Sequence, residues 1–422
     1  MTPVFALTLA GCLLITVYAV LILYYQQAWE AIPLFSPASS PGGPGLVPAT
    51  GSPAPSIGGG RVRISVLVPA RNEEKNIGAC LGSLSRQSYP RDRYEVIVID
   101  DHSTDGTAAL VTSFPASCIR LAEQEGAQTV KAHKKFAIET GIRAATGELI
   151  VTTDADCIFH PEWLSTLAAF YTEKGAKFIA APVRIGGSDA VAGEPGLSGI
   201  PGLSSVPSGR KAGRSLLSIF QTLDFISLQG ITGAAVYKNF HSMCNGANLA
   251  YEKKAFYEVG GFRDIDALPS GDDLLLMHKI YKAYPEQVFF LKSRQAIVST
   301  RPETGWKSFV NQRVRWASKA ASYDDRRIFW VLLLVYIVNA VFAALLVAAF
   351  WNSWWGWVLL ILLLVKTAVE YPFVRSVARF FGQQQLLVYF PALQPFHIAY
   401  TLVIGWLGQF GHYRWKDRKI SK

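Results

Sequence analysis

Long apolar runs without charged residues stand near both ends of this chain of 422 residues. Residues 4–25 are long enough to cross a bilayer as a helix. No basic segment precedes this run and no small-residue cleavage site follows it, so it predicts an anchor rather than a signal peptide. Residues 329–350, 354–374 and 386–407 are further candidate spans. The chain therefore has to fold as a soluble middle part between membrane segments.

Two of the later runs contain residues that are unusual in a membrane. Lys366 and Glu370 lie four residues apart, on one face of a helix, where they can pair. Pro391 and Pro395 weaken the last run, which could enter the membrane without crossing it. The side of the membrane that holds the basic tail at 414–422 therefore stays open.

Charge and cysteine content narrow the class of protein. The net charge is +10, but the basic residues gather beside the apolar runs, as cytoplasmic flanks of membrane helices do. This distribution favours membrane lipid as a partner and argues against nucleic acid. The five cysteines are scattered and form no CxxC pair, so neither a zinc site nor a disulfide framework is indicated.

The sequence predicts four regions. They are an N-terminal transmembrane anchor at 1–28, a linker rich in Pro, Gly and Ser at 29–60, a soluble domain at 61–325, and a C-terminal membrane region at 326–422 with two to three spans and a basic tail. Within the soluble domain, residues 186–213 are predicted to form a flexible insertion, and residues 305–320 an interfacial helix.

The soluble domain alternates strand and helix patterns. Strands are predicted at 63–69, 94–100 and 147–154, and helices at 74–88, 104–114 and 134–145. This order is typical of an α/β domain with a mostly parallel sheet. Ligands on such sheets bind at the carboxyl ends of the strands, which is where Asp100, Asp101, Asp154 and Asp156 fall.

Two acidic pairs carry the candidate chemistry. If Asp154 and Asp156 end a strand, their side chains share one face, and a hard cation such as Mg²⁺ or Mn²⁺ would relieve their repulsion and bring a diphosphate with it. The alternative is a solvated acidic turn. Asp272 and Asp273 precede an apolar helix, so they could supply a general base or simply cap that helix.

The segment Gln312 to Trp316 precedes the second apolar run. An apolar stripe with helical spacing runs through positions 306, 309, 310, 314 and 317, which predicts an amphipathic helix lying on the membrane. Gln, Arg and Trp within one turn can also hold a diphosphate and stack on a sugar ring.

Taken in order, these motifs resemble those of family 2 glycosyltransferases with a GT-A domain, akin to cellulose, hyaluronan and poly-N-acetylglucosamine synthases. The motifs are PARNEE (69–74), VIDDHSTDGT (98–107), DAD (154–156), SGDD (270–273) and QRVRW (312–316). The resemblance implies a Rossmann-like, mostly parallel sheet flanked by transmembrane helices.

The resemblance also implies roles for individual residues. The donor nucleotide would be bound by Pro69, Asn72, Glu73, Asp100 or Asp101, and its diphosphate by Lys134, Gln312 and Arg315. The metal would be held by Asp154 and Asp156. The base would be Asp273, with Asp272 beside it, and the acceptor would meet Trp316, Asn245 and Gly246.

The implied reaction is an inverting, metal-dependent transfer of the hexosyltransferase type. A sugar would move from a nucleotide diphosphate sugar to a growing polysaccharide or a lipid-linked acceptor and form a β-linkage. This chain departs from the family pattern at two positions: Asp272 stands where Glu is usual, and His102 where Gly is usual.

Two other functions compete with this one. The chain could add a single sugar to a lipid carrier, or it could be a catalytically inactive membrane subunit that binds nucleotide sugars. The expected location is a multi-pass plasma (inner) membrane protein with its catalytic domain in the cytoplasm, and export or accessory subunits are possible partners. The sequence names neither the sugar nor the acceptor.

Overall fold

The computed structural model describes residues 3–37, 62–123, 132–186, 215–240, 243–265, 271–318, 325–410, 413–415 and 418–420. The chain divides into two compact units. The sheet unit comprises Pro33–Ser208 and Met243–Arg301, and the helical unit comprises Met1–Ile32, Gly209–Ser242 and Pro302–Lys422. Each unit is therefore built from segments that are distant in sequence.

The sheet unit contains seven strands that form one sheet among the described residues. They are β1 (Ile64–Ala70), β2 (Tyr94–Asp100), β3 (Ser117–Arg120), β4 (Leu149–Thr152), β5 (Phe178–Ala180), β7 (Leu249–Glu252) and β8 (Val288–Phe290). Their order is β3-β2-β1-β4-β7-β5-β8, and only β7 runs antiparallel to its neighbours. The predicted mostly parallel sheet is confirmed.

The central strands are buried on both faces, which is why they are continuous apolar runs. In β1, Ile64, Val66, Leu67 and Val68 are fully buried. Helices of the sheet unit span Ile77–Leu84, Thr107–Val111, His133–Ala144, Trp163–Lys174, Lys253–Glu258 and Leu274–Ala283. A second, two-stranded sheet pairs β6 (Val183–Ile185) with β9 (Val298–Thr300) in parallel.

The helical unit contains Pro3–Ala31, Leu216–Tyr237, Trp306–Ala317, Arg326–Ala348, Ser353–Phe380 and Phe390–Phe410. Within the described part of the chain, four segments are long and apolar enough to cross a membrane: Gly11–Ala31, Arg326–Ala348, Ser353–Phe380 and Gln384–Phe410. Each of them overlaps one of the four apolar runs that the sequence offers as candidate spans. Pro395 lies inside the last helix, which continues past it. A short hairpin follows, with strands Tyr413–Trp415 and Arg418–Ile420.

The predicted pair Lys366–Glu370 is present and belongs to a larger polar network. Lys366 Nζ lies 2.7 Å from Glu370 Oε1 and donates to Gln394 Oε1 at 2.7 Å. Gln394 Nε2 donates to Glu370 Oε2 at 2.6 Å, and the hydroxyl of Tyr18 donates to Glu370 Oε1. Three candidate spans contribute to this network, so the buried charges are hydrogen-bonded as well as paired.

The structure describes only the edges of the predicted linker and insertion, so their extents stay predictions. The first helix continues through Ala31, and Phe35 then belongs to the sheet unit. Its amide donates to Lys292 O at 2.8 Å, and its ring meets Phe170 edge to face at 5.0 Å. Residues 38–60 of the linker and 187–213 of the insertion lie outside the described residues. The predicted extent of the soluble domain, 61–325, stays a prediction, but residues 215–240 and 302–318 pack within the helical unit.

Candidate active site

Two loops cross at the carboxyl ends of β1 and β2. The amide of Asn72 donates to Ser103 Oγ at 3.0 Å, and the amide of Thr104 donates back to Asn72 Oδ1 at 2.9 Å. Asn72 has a φ of 53°, a conformation that asparagine tolerates better than most residues. The side chain that the resemblance assigns to the nucleotide therefore also joins the two loops.

Further hydrogen bonds link the same loops. The Glu73 amide donates to Thr107 Oγ1 at 2.8 Å, and Asn76 Nδ2 donates to Glu73 Oε2 at 2.7 Å. These loops replace the ends of the predicted helices 74–88 and 104–114, which shrink to 77–84 and 107–111. Pro69, half-buried, precedes them near the end of β1.

The pair Asp100–Asp101 lies at the end of β2, and both side chains are buried. Asp100 Oδ1 accepts from the amide of Ser103 at 3.2 Å. Asp101 Oδ1 lies 3.0 Å from His102 Nδ1 and 3.7 Å from His133 Nδ1. His102 has a φ of 57°, which favours glycine and accounts for the glycine that is usual there.

The sequence predicts a strand at 147–154, but β4 ends at Thr152, so Asp154 and Asp156 lie outside it. They occupy the turn that follows. Asp154 exposes 41% of its side chain, whereas Asp156 turns inward and accepts from Thr300 Oγ1 at 3.0 Å. Burial, together with the carboxylates of Asp154 and Glu73, raises the pKa of Asp156 to about 6.

Lys134 supplies the positive charge beside these carboxylates. Its Nζ lies 2.9 Å from Asp154 Oδ1 and 3.5 Å from Asp272 Oδ2. Burial alone would lower the pKa of Lys134, but the carboxylates of Asp154, Asp272 and Asp273 raise it overall. One ammonium group thus connects the turn after β4 with the acidic pair before the helix Leu274–Ala283.

The acidic pair itself is partly a helix cap. Asp273 Oδ1 accepts from the amide of Leu274 at 2.8 Å, so capping accounts for one of its oxygens. Gly246 closes over this cluster, since a β-carbon there would lie 3.2 Å from Lys134 Nζ and 3.5 Å from Asp272 Oδ2. The preceding Asn245 uses its Oδ1 to accept from the amide of Ala247 at 3.0 Å.

The turn after β4 offers a suitable place for a divalent cation. No cluster of three or more His, Cys, Asp or Glu side chains occurs among the described residues. Asp154 and Asp156 nevertheless provide carboxylate oxygens, and burial together with the carboxylates of Asp154 and Glu73 makes the charged form of Asp156 unfavourable without a cation. The donor set therefore fits a hard cation that completes its shell with water and phosphate.

Gln312, Arg315 and Trp316 belong to the helical unit, on the helix Trp306–Ala317. Gln312 Nε2 donates to Glu303 Oε1 at 2.9 Å. The apolar stripe of this helix packs on another helix: Val314 forms a core with Ile404, joined by Val310, Ala317, Tyr400 and Leu407. The predicted amphipathic helix is present, but protein rather than lipid covers that part of its apolar face.

Sequence reasoning missed the polar residues of the helix Leu216–Tyr237. Asp224 lies 2.9 Å from Arg313, and Gln221 contacts the backbone of Glu303. The available signal was the spacing of Gln221 and Asp224, three apart on one face of an otherwise apolar segment. Asn248, which ends the segment that begins at Asn245, is buried and donates to the carbonyls of Pro182 and Ala296 at 2.8 Å.

Two family models match the chain in succession. The model of Glycosyl transferase family 2 matches residues 65–217, and that of Glycosyl transferase family 21 matches residues 204–420, just over half of the chain. The chain belongs to the family 21 glycosyltransferases. The resemblance of its motifs to family 2 enzymes is thereby confirmed.

Individual relatives agree with this assignment. The chain is 30% identical over 125 residues to the glycosyltransferase AglE of Haloferax volcanii, covering 28% of this chain and 39% of AglE. It is 29% identical over 259 residues to the probable glycosyltransferase YdaM of Bacillus subtilis, covering 60% of this chain and 54% of YdaM. The chain thus spans about half, or less, of these curated relatives.

A solved structure shows the same fold. The mannosyltransferase PcManGT of Pyrobaculum calidifontis, solved with GDP-Man and Mn²⁺, superposes with a TM-score of 0.54 at 18% identity. The match covers 93% of this chain and 99% of PcManGT. The GT-A fold with flanking apolar helices is therefore shown.

Proposed function

We propose that this glycosyltransferase moves a sugar from a nucleotide diphosphate sugar to a saccharide or lipid-linked acceptor at a membrane, with inversion at the anomeric carbon. One observation carries the proposal: Lys134 lies between the turn that holds Asp154 and the acidic pair Asp272–Asp273. The carboxylates that would hold a cation and the candidate base therefore belong to one cluster, at the carboxyl end of the sheet.

Asp154 and Asp156 are the residues that would hold Mg²⁺ or Mn²⁺. When bound, the cation would neutralise the negative charge that develops on the departing diphosphate. Mn²⁺ and GDP-Man are present in the PcManGT structure, which supports this choice of ligands. Lys134 adds a second positive charge that is already oriented by two carboxylates, so little reorganisation is needed when the diphosphate binds.

Asp273 is the proposed base. It would take the proton of the acceptor hydroxyl while that oxygen attacks the anomeric carbon from the side opposite the diphosphate. The bond between carbon and diphosphate oxygen breaks as the new glycosidic bond forms, and the proton remains on the carboxylate. One displacement inverts the configuration, so an α-linked donor gives a β-linked product. Asp272 is held toward Lys134, which favours its neighbour as the base.

The acceptor is proposed to be membrane-associated. Trp316 and Arg315 lie on a helix whose apolar side packs against Phe390–Phe410, part of a candidate membrane span. Nucleotide sugars are made in the cytoplasm, so the sheet unit is proposed to face it and the chain to be a multi-pass protein of the plasma (inner) membrane. Transfer of one sugar to a lipid carrier and extension of a polysaccharide both fit this arrangement.

The test is nucleoside diphosphate release by the purified full chain in lipid vesicles with Mn²⁺ or Mg²⁺. UDP-glucose, UDP-N-acetylglucosamine, UDP-galactose and GDP-mannose would each be offered. The acceptors would be a cello-oligosaccharide, a chito-oligosaccharide, ceramide and a polyprenyl phosphate. Metal-dependent release that is lost in Asp273→Asn supports the proposal, and product size separates polymer from glycolipid. Nucleotide binding without release from any pair would overturn it in favour of a binding subunit.

A further inference from the structure

A buried ion pair joins two helices of the helical unit. Arg313 Nη2 lies 2.9 Å from Asp224 Oδ2, and their side chains are only 2% and 7% exposed. Nε, Nη1 and Nη2 of Arg313 and Oδ2 of Asp224 make no hydrogen bond among the described residues, so the two side chains form an ion pair without an aligned hydrogen bond. His397 Nε2 lies 3.9 Å from the other Asp224 oxygen. Asp224 is therefore the principal anion that orients this guanidinium group.

The guanidinium group of Arg313 is stacked against aromatic rings. Its central carbon lies 4.3 Å from the ring centre of Trp316 and 5.0 Å from that of Phe309. The Trp316 ring also lies 6.0 Å from Phe225, one residue after Asp224. The tryptophan is thus positioned by Arg313 on one helix and by Phe225 on the other.

A second polar contact fixes the same two helices in register. Gln221 Nε2 donates to Glu303 O at 3.0 Å, and its Oε1 accepts from the amide of Glu303 at 3.1 Å. The carboxylate of Glu303 then accepts from Gln312. Gln221 and Asp224 lie three residues apart on one helix face, so Asp224 contacts the helix Trp306–Ala317 and Gln221 contacts the segment that leads into it.

We infer that Asp224 is a positioning residue for the acceptor: by holding Arg313 against Trp316, it fixes the orientation of the indole ring on which an acceptor would stack. This inference rests on the proposed function for the role of Trp316. A buried ion pair is a weak source of net stability, so the role assigned to Asp224 here is to orient Arg313. The guanidinium plane would rotate away from the indole if Asp224 no longer attracted it.

The first test measures the orientation of Trp316 without any substrate. Oxidative footprinting of the full chain in vesicles, read by peptide mass spectrometry, would compare wild type with Asp224→Asn. Modification of Trp316 should rise at least about threefold because the ring loses its cover, while Trp306, already 44% exposed, should not change. Equal modification of Trp316 in both proteins would overturn the inference.

The second test uses the donor and acceptor that support turnover in the assay above. Asp224→Asn should raise KM for the acceptor about tenfold, because the buried guanidinium group loses its counter-charge and the indole ring loses its fixed orientation. The KM for the donor should stay unchanged, and so should the rate at which the donor is hydrolysed when no acceptor is present. Arg313→Lys should likewise raise KM for the acceptor and leave KM for the donor unchanged, since lysine keeps the charge but lacks the planar group that stacks on the indole ring.

A double-mutant cycle separates positioning from general packing. In a Trp316→Ala background, Asp224→Asn should change acceptor KM by less than about twofold, because the ring through which it acts is gone. Glu370→Gln is the matched control, since it disrupts another buried ion pair of the same unit. It should lower thermal stability and leave acceptor KM unchanged. Additive effects in the cycle, or an equal KM change in Glu370→Gln, would overturn the inference.

Absence of turnover in wild type would instead refute the proposed function, and the footprinting experiment would still decide whether Asp224 fixes the orientation of Trp316.

Discussion

Replacing Asp156 with asparagine should make the cation-free protein more stable, although it removes a proposed metal ligand. The pKa of Asp156 is raised to about 6 by burial and by the carboxylates of Asp154 and Glu73. The folded state therefore binds this proton more tightly than the unfolded state does. The contribution of the protonated Asp156 to stability is fully present below about pH 4 and is lost as the pH rises through about 6.

The magnitude follows from the two pKa values. The difference between about 6 and the ordinary value near 4 corresponds to about 3 kcal/mol of unfavourable interaction above pH 6. For a sheet unit of this size, relief of that interaction would raise the melting temperature by about 6–12 °C. At about pH 4.5 the folded-state carboxyl is mostly protonated, so the gain should shrink to about a third.

The assay is thermal unfolding of the full chain in lipid with EDTA, at about pH 7.5 and about pH 4.5. Asp154→Asn is the matched control: Asp154 is more exposed and pairs with Lys134 at 2.9 Å, so its loss should bring no gain in stability. Mn²⁺ should raise the melting temperature of wild type and leave that of Asp156→Asn unchanged. The reasoning is refuted if Asp156→Asn melts at or below wild type at the higher pH, or if its gain is undiminished at the lower pH.

Three further outcomes are expected. Lys134→Met should lower nucleoside diphosphate release at least about 100-fold, because the preorganised positive charge at the diphosphate is lost; a wild-type rate would contradict the role given to it. Gly246→Ala should lower turnover about tenfold with an unchanged circular dichroism spectrum, since the new methyl group would lie 3.2 Å from Lys134 Nζ. Lys366→Leu should destabilise the protein by about 3–5 kcal/mol and Lys366→Leu/Glu370→Leu by much less, as thermal unfolding in detergent would show; equal losses would mean that the charges act independently.

The location of the site could be predicted because parallel strands bring their carboxyl ends to one edge. A buried strand followed by a polar residue is visible in the sequence, and this pattern predicts Asp100 and Asp154 at that edge. Lys366 and Glu370 were equally predictable, since their contact depends only on the pitch of one helix.

The detailed geometry could not be predicted because it depends on contacts between segments. The helix patterns at 74–88 and 104–114 contain no sign that hydrogen bonds between Asn72, Ser103 and Thr104 shorten both helices. The spacing of Asp154 and Asp156 predicts a shared face only if the strand continues, and it ends two residues earlier.

Long-range polar pairs leave even less trace in a sequence. Asp224 and Arg313 each lie in a segment whose sequence predicts a helix and gives no sign of the other residue. Only the packing of the two helices brings them together. The division into units is equally hard to predict. The motif containing Gln312 is adjacent in sequence to the sheet unit, yet its helix packs against the helix Phe390–Phe410 of the helical unit.

The hydrogen bond from Tyr18 to Glu370 has a consequence for biosynthesis, because 352 positions separate its two residues. At ordinary rates of translation, about 20–70 s pass between the synthesis of the first span and that of its partner. Lys366 and Glu370 can pair as soon as their own helix forms, whereas Tyr18 has no acceptor from this network until residue 370 is made. A nascent chain that stops before residue 370 therefore lacks the carboxylate that joins the first helix to the helix Ser353–Phe380 through this network.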